Sequence, residues 1–121
     1  MESAEYKMQY DEYLARAEKA LSQACERYLP EESDVCRAAR YSLLGGGKRI
    51  RAVLVLAVCD MLHGNAEAAE QFAAAVEMLH CYSLIHDDLP CMDNDDLRRG
   101  RPSCHKAFSE ATAMLAGDVL L

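Results

Sequence analysis

Positions 86–101 bring together residue types that bind metal ions and phosphate groups. These sixteen residues contain five aspartates followed by three arginines. Carboxylates this close repel one another and aspartate favours helices poorly, so packing alone gives no reason to collect them. A hard divalent cation would relieve that repulsion, and the arginines could donate in pairs to a polyanion bridged by the cation. The stretch therefore predicts a site that binds metal and phosphate together.

The spacing of the first three aspartates, Asp87, Asp88 and Asp93, favours Mg2+ if the chain turns between them. On an unbroken helix, Asp87 and Asp93 would point about 120° apart, which is poor geometry for a shared cation. Pro90 disfavours helical backbone at Leu89, so the chain can turn and bring Asp93 back. Carboxylates from a helix end and the following loop can then converge on Mg2+, whose other ligands are water and phosphate oxygens.

This stretch has three other interpretations. A calcium loop is disfavoured because residues 93–96 are not followed by the glycine and the distant glutamate that such a loop requires. Zinc is disfavoured because the available soft ligands match no common zinc spacing; they are His80, Cys81, His86 and Cys91. A solvated acidic loop, with the arginines as balancing charge, stays open.

A second candidate anion-binding segment begins at the glycine run of residues 45–47 and continues through residues 48–51, Lys-Arg-Ile-Arg. Glycine lets a backbone approach an anion closely, and the start of a helix points amide N–H groups at it. Lys48 and Arg51 are three residues apart and would share one face of a helix. The spacing is not that of a nucleotide-binding P-loop. The alternative is a helix stop followed by a solvated basic turn.

His80 and Asp87 are expected to share a face of the helix that connects these two segments. They are seven residues apart, and seven steps of a helix return to within about 20° of the starting direction. Ser83 and Leu84 lie between them. A polar stripe on an otherwise buried helix indicates a wet cavity, because buried polar groups need partners. A core histidine with satisfied hydrogen bonds is the alternative.

Apolar residues recur at helical spacing along nearly the whole chain, and no segment alternates with a period of two. We therefore predict an all-α fold. The fourth helix is apolar on most sides between Ala73 and Ile85, which places it in the middle of a helical assembly. The five predicted helices are 6–28 before Pro30, Asp34 (as N-cap) to the break at 45–47, Lys48–Leu62, Ala66–Asp88, and Ser103 (as N-cap) to Leu121.

Composition excludes some classes of function. A chain of 121 residues suits one domain, and its net charge of −7 argues against nucleic acid as the partner. The longest apolar run, 52–59, falls well short of the ~20 residues of a transmembrane helix. The N-terminus lacks the pattern of a signal peptide, so we expect a cytoplasmic protein. None of the six cysteines forms a close CxxC pair, so we expect reduced and mostly buried thiols.

Four segments, taken in order, resemble motifs of the trans-isoprenyl diphosphate synthases, or polyprenyl synthetases. They are Gly46–Arg51, Glu77–His80, Tyr82–Pro102 and Leu115–Asp118. Within that family the chain resembles most the bacterial farnesyl diphosphate synthase (geranyltranstransferase) group. The resemblance covers residues 40–121, and the first helix is compatible with it. It implies a helical bundle that is the N-terminal portion of the isoprenoid synthase fold, with residues 1–121 as the N-terminal part of a single domain.

The same resemblance implies a Mg2+-dependent prenyltransferase that condenses isopentenyl diphosphate with dimethylallyl or geranyl diphosphate. Asp87 and Asp93 would bind Mg2+ with Asp88 in support, and Arg98 would grip the allylic diphosphate. The residues implied for isopentenyl diphosphate are Lys48, Arg51, His80 and Arg99. The family also implies a homodimer.

Product length is implied by Tyr82 and Ser83, five and four residues before the first aspartate. Tyr82, together with the two extra residues inside the aspartate motif, resembles enzymes that make farnesyl (C15) rather than geranylgeranyl (C20) diphosphate.

The chain also departs from the family. Ala52 stands where the family usually has proline. The second aspartate-rich motif of the C-terminal half is absent, so the 121 residues alone are expected to be inactive. A truncated, non-catalytic helical protein or subunit that binds diphosphate or metal is therefore the alternative function. A terpene cyclase ranks below both, because it would share the aspartates but not the Gly-Lys-Arg-Ile-Arg segment.

Overall fold

A computed structural model of the chain describes residues 2–121. Six helices and one short hairpin follow in the order α1 Ser3–Tyr28, α2 Asp34–Leu43, α3 Ile50–Met61, α4 Ala66–Asp88, β1 Leu97–Arg98, β2 Arg101–Pro102, α5 Cys104–Ala107 and α6 Glu110–Leu120. The all-α class is confirmed, because the only sheet within residues 2–121 is a hairpin with two residues in each strand. Within the same range, no helix is long and apolar enough to cross a membrane.

Helix α4 lies in the middle of the bundle, as its apolar sequence predicts. It packs against α1, α3 and α6, with smaller contacts to α2 and α5. Buried alanines at its N-terminal end, including Ala69 and Ala73, meet Ala17 of α1 and Leu56 of α3 in one apolar cluster. One side of α4 remains open, where Phe72 and Leu79 are 67% and 49% exposed. A helix held by so many neighbours fixes the positions of the polar residues that it carries.

Two predicted helix starts are wrong by one or two residues. Helix α2 is capped by Ser33 rather than Asp34, because the Ser33 hydroxyl accepts a hydrogen bond from the Cys36 N–H at 3.4 Å. Helix α3 begins at Ile50 rather than Lys48, because Arg49 has a left-handed backbone with φ 54°. A left-handed residue cannot continue a right-handed helix. Lys48 therefore precedes the helix, and the predicted helical spacing between Lys48 and Arg51 does not hold.

The last predicted helix is wrong in a different way, because the chain from Ser103 onward forms two helices. The second, α6, is capped by Ser109, whose hydroxyl accepts from the Thr112 N–H at 3.1 Å. Ser103 precedes α5, but its hydroxyl makes no cap and donates instead to the Asp95 carbonyl at 2.7 Å. Ser103 therefore ties α5 to the loop of aspartates.

The hairpin was not predicted, since strands of two residues are too short to show an alternating pattern. Its strands pair with Leu97 opposite Pro102 and Arg98 opposite Arg101. The two turn residues, Arg99 and Gly100, both have positive φ, at 52° and 75°. Two consecutive residues of positive φ are typical of the tight turn that joins antiparallel strands.

All six cysteines are free thiols, and three of them, Cys25, Cys81 and Cys104, are buried. Burial raises the pKa of Cys81 to about 12, so this thiol stays protonated at neutral pH. The prediction of reduced thiols agrees with this arrangement, but only half of them are buried, and Cys91 is exposed.

Helices α4 and α6 meet closely at Gly117, which is buried against the ring of His86. A Cβ atom at position 117 would overlap the His86 Nε2 atom. The same ring nitrogen is hydrogen-bonded to the Met114 carbonyl at 2.9 Å. The contact leaves no room for a side chain, so glycine is required here by packing.

We expect Gly117→Ala to lower the free energy of unfolding of the intact protein by about 1–3 kcal/mol, because the methyl group must displace the His86 ring. Urea denaturation measures the change. Adding His86→Ala removes the ring, so the double variant should lose much less from the alanine. A single variant that is more stable than wild type, as helix propensity alone would make it, would contradict the close contact.

Candidate functional site

The acidic end of the candidate site is built where α4 stops. Helix α4 ends at Asp88 because Leu89, which precedes Pro90, has an extended backbone with ψ 150°. The chain then turns back, and the Asp93 N–H donates to the Asp87 carbonyl at 2.8 Å. The predicted return of the chain toward Asp87 is therefore found in the structure.

Asp87 and Asp93 have the properties of ligands for a hard cation. Both residues are exposed, and neither carboxylate has an ion-pair partner among residues 2–121. The described chain holds no ready group of three or more His, Cys, Asp or Glu side chains that could bind a metal alone. Two open carboxylates leave the remaining positions of an octahedral ion to water and phosphate oxygens, which is the mode of binding that Mg2+ prefers. Two exposed carboxylates without ion pairs are the donor set that a Mg2+ ion shared with a phosphorylated ligand would use.

Asp88 differs from its neighbour because it is buried and already paired. Its two carboxylate oxygens accept from Arg98, with Nε–Oδ2 and Nη2–Oδ1 distances of 2.6 and 2.7 Å. Hydrogen bonding to Asp88 raises the pKa of Arg98, which keeps the guanidinium charged. This contact agrees with the alternative interpretation in which the arginines balance the charge of the aspartates, but only for Arg98. The Nη1 group of Arg98 has no hydrogen bond to residues 2–121 and stays available to a ligand.

The hairpin lays two further arginines against the glycine run of residues 45–47. A Cβ atom at Gly47 would lie 2.8 Å from Arg99 Nη2, and one at Gly45 would lie 2.6 Å from Arg101 Nη1. The Arg101 guanidinium also stacks over the Tyr41 ring, at 4.1 Å from its centroid. The glycines were expected to bring backbone close to an anion. In the structure two of them make room for cationic side chains.

His80 lies among these cations. Burial lowers its pKa first, and repulsion from Arg51, Arg99 and Arg98 lowers it further, while Glu77 acts in the opposite direction. The sequence-predicted residues Arg51, His80 and Arg99 are thus brought together by α3, α4 and the hairpin. Lys48 is exposed and lies just before α3, with its carbonyl accepting from the Tyr10 hydroxyl. We call the group of Lys48, Arg51, His80 and Arg99 the cationic cluster.

Tyr82 and Ser83 lie on different sides of α4. The Tyr82 ring packs edge-on against His86, with centroids 5.6 Å apart, and contacts the apolar core. Ser83 lies one turn before Asp87, and its hydroxyl donates to the His80 carbonyl at 2.6 Å. Both side chains are half-buried.

Sequence reasoning missed two buried charged residues at this site, Arg49 and Glu77, which are 4% and 3% exposed. The sequence does contain a signal for Glu77, because it is the single acidic residue within the apolar stretch 73–85 and a lone buried charge requires a partner.

Comparison with known proteins identifies the family. A sequence model described as polyprenyl synthetase matches residues 32–121. The chain belongs to this family. It is 53% identical over 116 residues to a chloroplastic geranylgeranyl pyrophosphate synthase of Capsicum annuum, covering 96% of this chain and 31% of that protein. It is 59% identical over 95 residues to a farnesyl diphosphate synthase of Micrococcus luteus, covering 78% of this chain and 33% of that protein.

A solved structure shows the same fold over the matching part of its chain. An apo crystal structure of an FPP/GFPP synthase from Zymomonas mobilis superposes with a TM-score of 0.88 at 42% identity, covering 98% of this chain and 43% of that chain. The chain of this polyprenyl synthetase family member spans about a third of the length of the curated relatives it matches.

Removing the buried charge of Asp88 should destabilise the protein. We expect Asp88→Asn to lower the free energy of unfolding by roughly 2 kcal/mol, because Arg98 would lose its buried counter-charge. Asp87→Asn is the matched control, since Asp87 is exposed, and should change it by less than about 0.5 kcal/mol. Urea denaturation of the intact protein measures both. Equal effects of the two substitutions would show that the Asp88–Arg98 bond is not a structural contact.

His80 should titrate below the ordinary histidine value of 6.5. The unfolded chain then binds more protons than the folded chain between the two pKa values, so stability rises with pH there. The contribution of His80 is fully present above about pH 6.5 and is lost as the pH falls through the folded-state pKa. An NMR pH titration of the intact protein, with the His80 signal assigned by its absence in His80→Gln, should give a midpoint below 6.5. Added inorganic diphosphate should raise it, and a midpoint at or above 6.5 without ligand would contradict the cationic surroundings.

Proposed function

We propose that this chain is the N-terminal part of a prenyltransferase that condenses isopentenyl diphosphate with an allylic diphosphate. The observation that carries the proposal is the placement, along the central helix α4, of the cationic cluster and of the turn at residues 87–93, here called the acidic turn. Asp87 and His80 are seven residues apart on α4, which corresponds to about 10 Å along the helix axis. Two diphosphates bound at these two places would have their carbon chains close enough to meet.

The acidic turn would bind the allylic diphosphate. Asp87 and Asp93 would hold Mg2+, which supplies positive charge for the diphosphate oxygens when it is bound. The free Nη1 side of Arg98 would donate to the same diphosphate, and its bond to Asp88 keeps the guanidinium in a fixed orientation.

The cationic cluster would bind isopentenyl diphosphate. Lys48 supplies a point charge, while Arg51 and Arg99 supply planar groups that can donate in pairs to phosphate oxygens. His80 would be neutral in the free protein and would take up a proton as the anion approaches, because the anion offsets the repulsion from the arginines.

The proposed reaction exchanges one bond for another. The allylic C–O bond breaks, and the diphosphate leaves with the electron pair, stabilised by the cations around it. The double bond of isopentenyl diphosphate attacks the allylic carbon and forms a C–C bond. Loss of a proton then gives an allylic diphosphate five carbons longer. Excluding water would protect the allylic cation from hydrolysis.

We propose farnesyl diphosphate as the main product. The support is the bulk of Tyr82, five residues before the first aspartate, and the presence of a protein named farnesyl diphosphate synthase among the relatives. Most of the similar relatives are named geranylgeranyl pyrophosphate synthases, one of them also at 59% identity, so C20 is the competing length. The packing of Tyr82 against His86 offers a reason for a limit, since truncating the ring would open space beside α4. A homodimer stays a prediction, supported by the exposed apolar residues Leu115 and Val119 on α6.

The test uses the full-length protein with dimethylallyl diphosphate, isopentenyl diphosphate and Mg2+. We expect C15 product. Tyr82→Ala should shift the products toward C20, whereas Tyr82→Phe, the matched control, keeps the ring and should keep C15. Dominant C20 product from the wild-type protein would contradict the assignment of product length. Binding of both diphosphates without any product would favour the alternative, a non-catalytic subunit.

A further inference from the structure

A network of polar contacts centred on the buried Arg49 side chain lies next to the cationic cluster. The Arg49 side chain reaches three helices: Nε donates to Glu18 Oε1 of α1 at 2.6 Å, and Nη2 donates to the Leu43 carbonyl of α2 at 2.5 Å. Its Nη1 atom lies 3.7 Å from Glu77 Oε2 of α4. Since Arg49 is 4% exposed and its donors face protein groups, it is not placed to touch a substrate.

Glu77 carries the second half of this network. It is 3% exposed and lies three residues before His80 on α4. Its Oε1 atom accepts the Ala52 N–H at 3.1 Å, one of the free N–H groups at the start of α3. Its other oxygen faces Arg49. One carboxylate of α4 thus caps the helix that carries Arg51.

Ala52 makes this cap possible. The motif that this segment resembles usually has proline at this position, and proline has no N–H to donate. The alanine gives Glu77 a hydrogen bond that a proline could not give. The start of α3 is therefore fixed to α4 at the point where α4 presents His80.

The left-handed backbone of Arg49 depends on the same contacts. A non-glycine residue with φ 54° is strained, and such conformations persist where the surroundings hold them. Here the guanidinium is held by α1, α2 and α4, while the Tyr10 hydroxyl holds the Lys48 carbonyl from the other side. The turn at Arg49 sets the position of Lys48 and the start of the helix that carries Arg51.

We infer that Arg49 and Glu77 are positioning residues of the isopentenyl diphosphate subsite, holding Lys48 and Arg51 in place relative to His80 without touching the substrate. The inference rests on the proposed function, because it assigns isopentenyl diphosphate to the cationic cluster. Small displacements of binding groups are costly, so loosening this network should weaken the binding of isopentenyl diphosphate and leave the binding of the allylic diphosphate nearly unchanged.

The test compares Arg49→Gln, Glu77→Gln and Ala52→Pro in the full-length protein. We expect the KM and the calorimetric Kd for isopentenyl diphosphate to rise about 10-fold in the first two and about 3-fold in Ala52→Pro. The KM for the allylic diphosphate should stay within about 2-fold. Arg49→Lys keeps the charge but not the planar fork and should restore part of the affinity. Ala52→Pro removes a single donor in the first helical turn, where proline is tolerated, and keeps the test valid if Arg49→Gln does not fold.

Arg16→Gln is the matched control. Arg16 of α1 also links α3 and α4, through Asp60 at 2.9 Å and Glu70 at 3.3 Å, but at the other end of α3. It should affect stability without changing either KM. The inference would be overturned if the Arg49 and Glu77 variants bound both substrates equally more weakly. It would also be overturned if their KM values did not differ from those of Arg16→Gln.

The two proposals fail in different ways. A wild-type protein that binds isopentenyl diphosphate but forms no product contradicts prenyl transfer, while the Kd values of the variants still test the positioning roles. A wild-type protein that does not bind isopentenyl diphosphate overturns the positioning roles.

Discussion

The bidentate bond between Asp88 and Arg98 joins the end of the central helix to the hairpin, and most of the polar architecture depends on it. It fixes the hairpin close to α4, so that Arg99 and Arg101 reach the glycine run before α3. It also holds both ends of the loop in which Asp93 turns back to Asp87. The acidic turn and the cationic cluster are therefore parts of one connected structure, tied together through a charge pair whose carboxylate is buried and costly to leave unpaired.

Helix electrostatics explain why this end of α4 needs so many cations. The C-terminal end of a helix carries partial negative charge, which disfavours carboxylates in the last turn. Asp87 and Asp88 are the last two residues of α4, and further aspartates follow in the loop. Arg98 neutralises Asp88 within the protein, whereas Asp87 has no ion pair within residues 2–121. The fold thus satisfies one carboxylate internally and leaves its neighbour without an ion pair within residues 2–121.

The parts of the site that could be predicted follow from local rules. The 3.6-residue period located α4, the restriction that Pro90 places on Leu89 predicted the return of Asp93, and the position of His80 followed from helix geometry. The parts that were missed depend on contacts distant in sequence. The left-handed turn at Arg49 is held by three helices, and the pairing of Arg98 with Asp88 could not be distinguished from a free arginine by spacing. The break before Ser109 gave only a weak local signal, because serine is common both at caps and in loops.

The hairpin also constrains how the length of this chain can vary. Between Asp88 and Arg98 the number of residues is set by several contacts at once: the bond between those two residues, and the fit of the next arginines against Gly47 and Gly45. Inserting or deleting one residue there would bring Leu97 or Arg99 opposite Asp88 and move every later side chain out of its place. The connections at 29–33 and 62–65 carry no comparable set of contacts to the cationic cluster. Single-residue length differences among homologous chains are therefore expected to collect in those two connections. A longer change between positions 88 and 98, such as the two extra residues of the aspartate motif, must be absorbed within the loop so that Arg98 still meets Asp88.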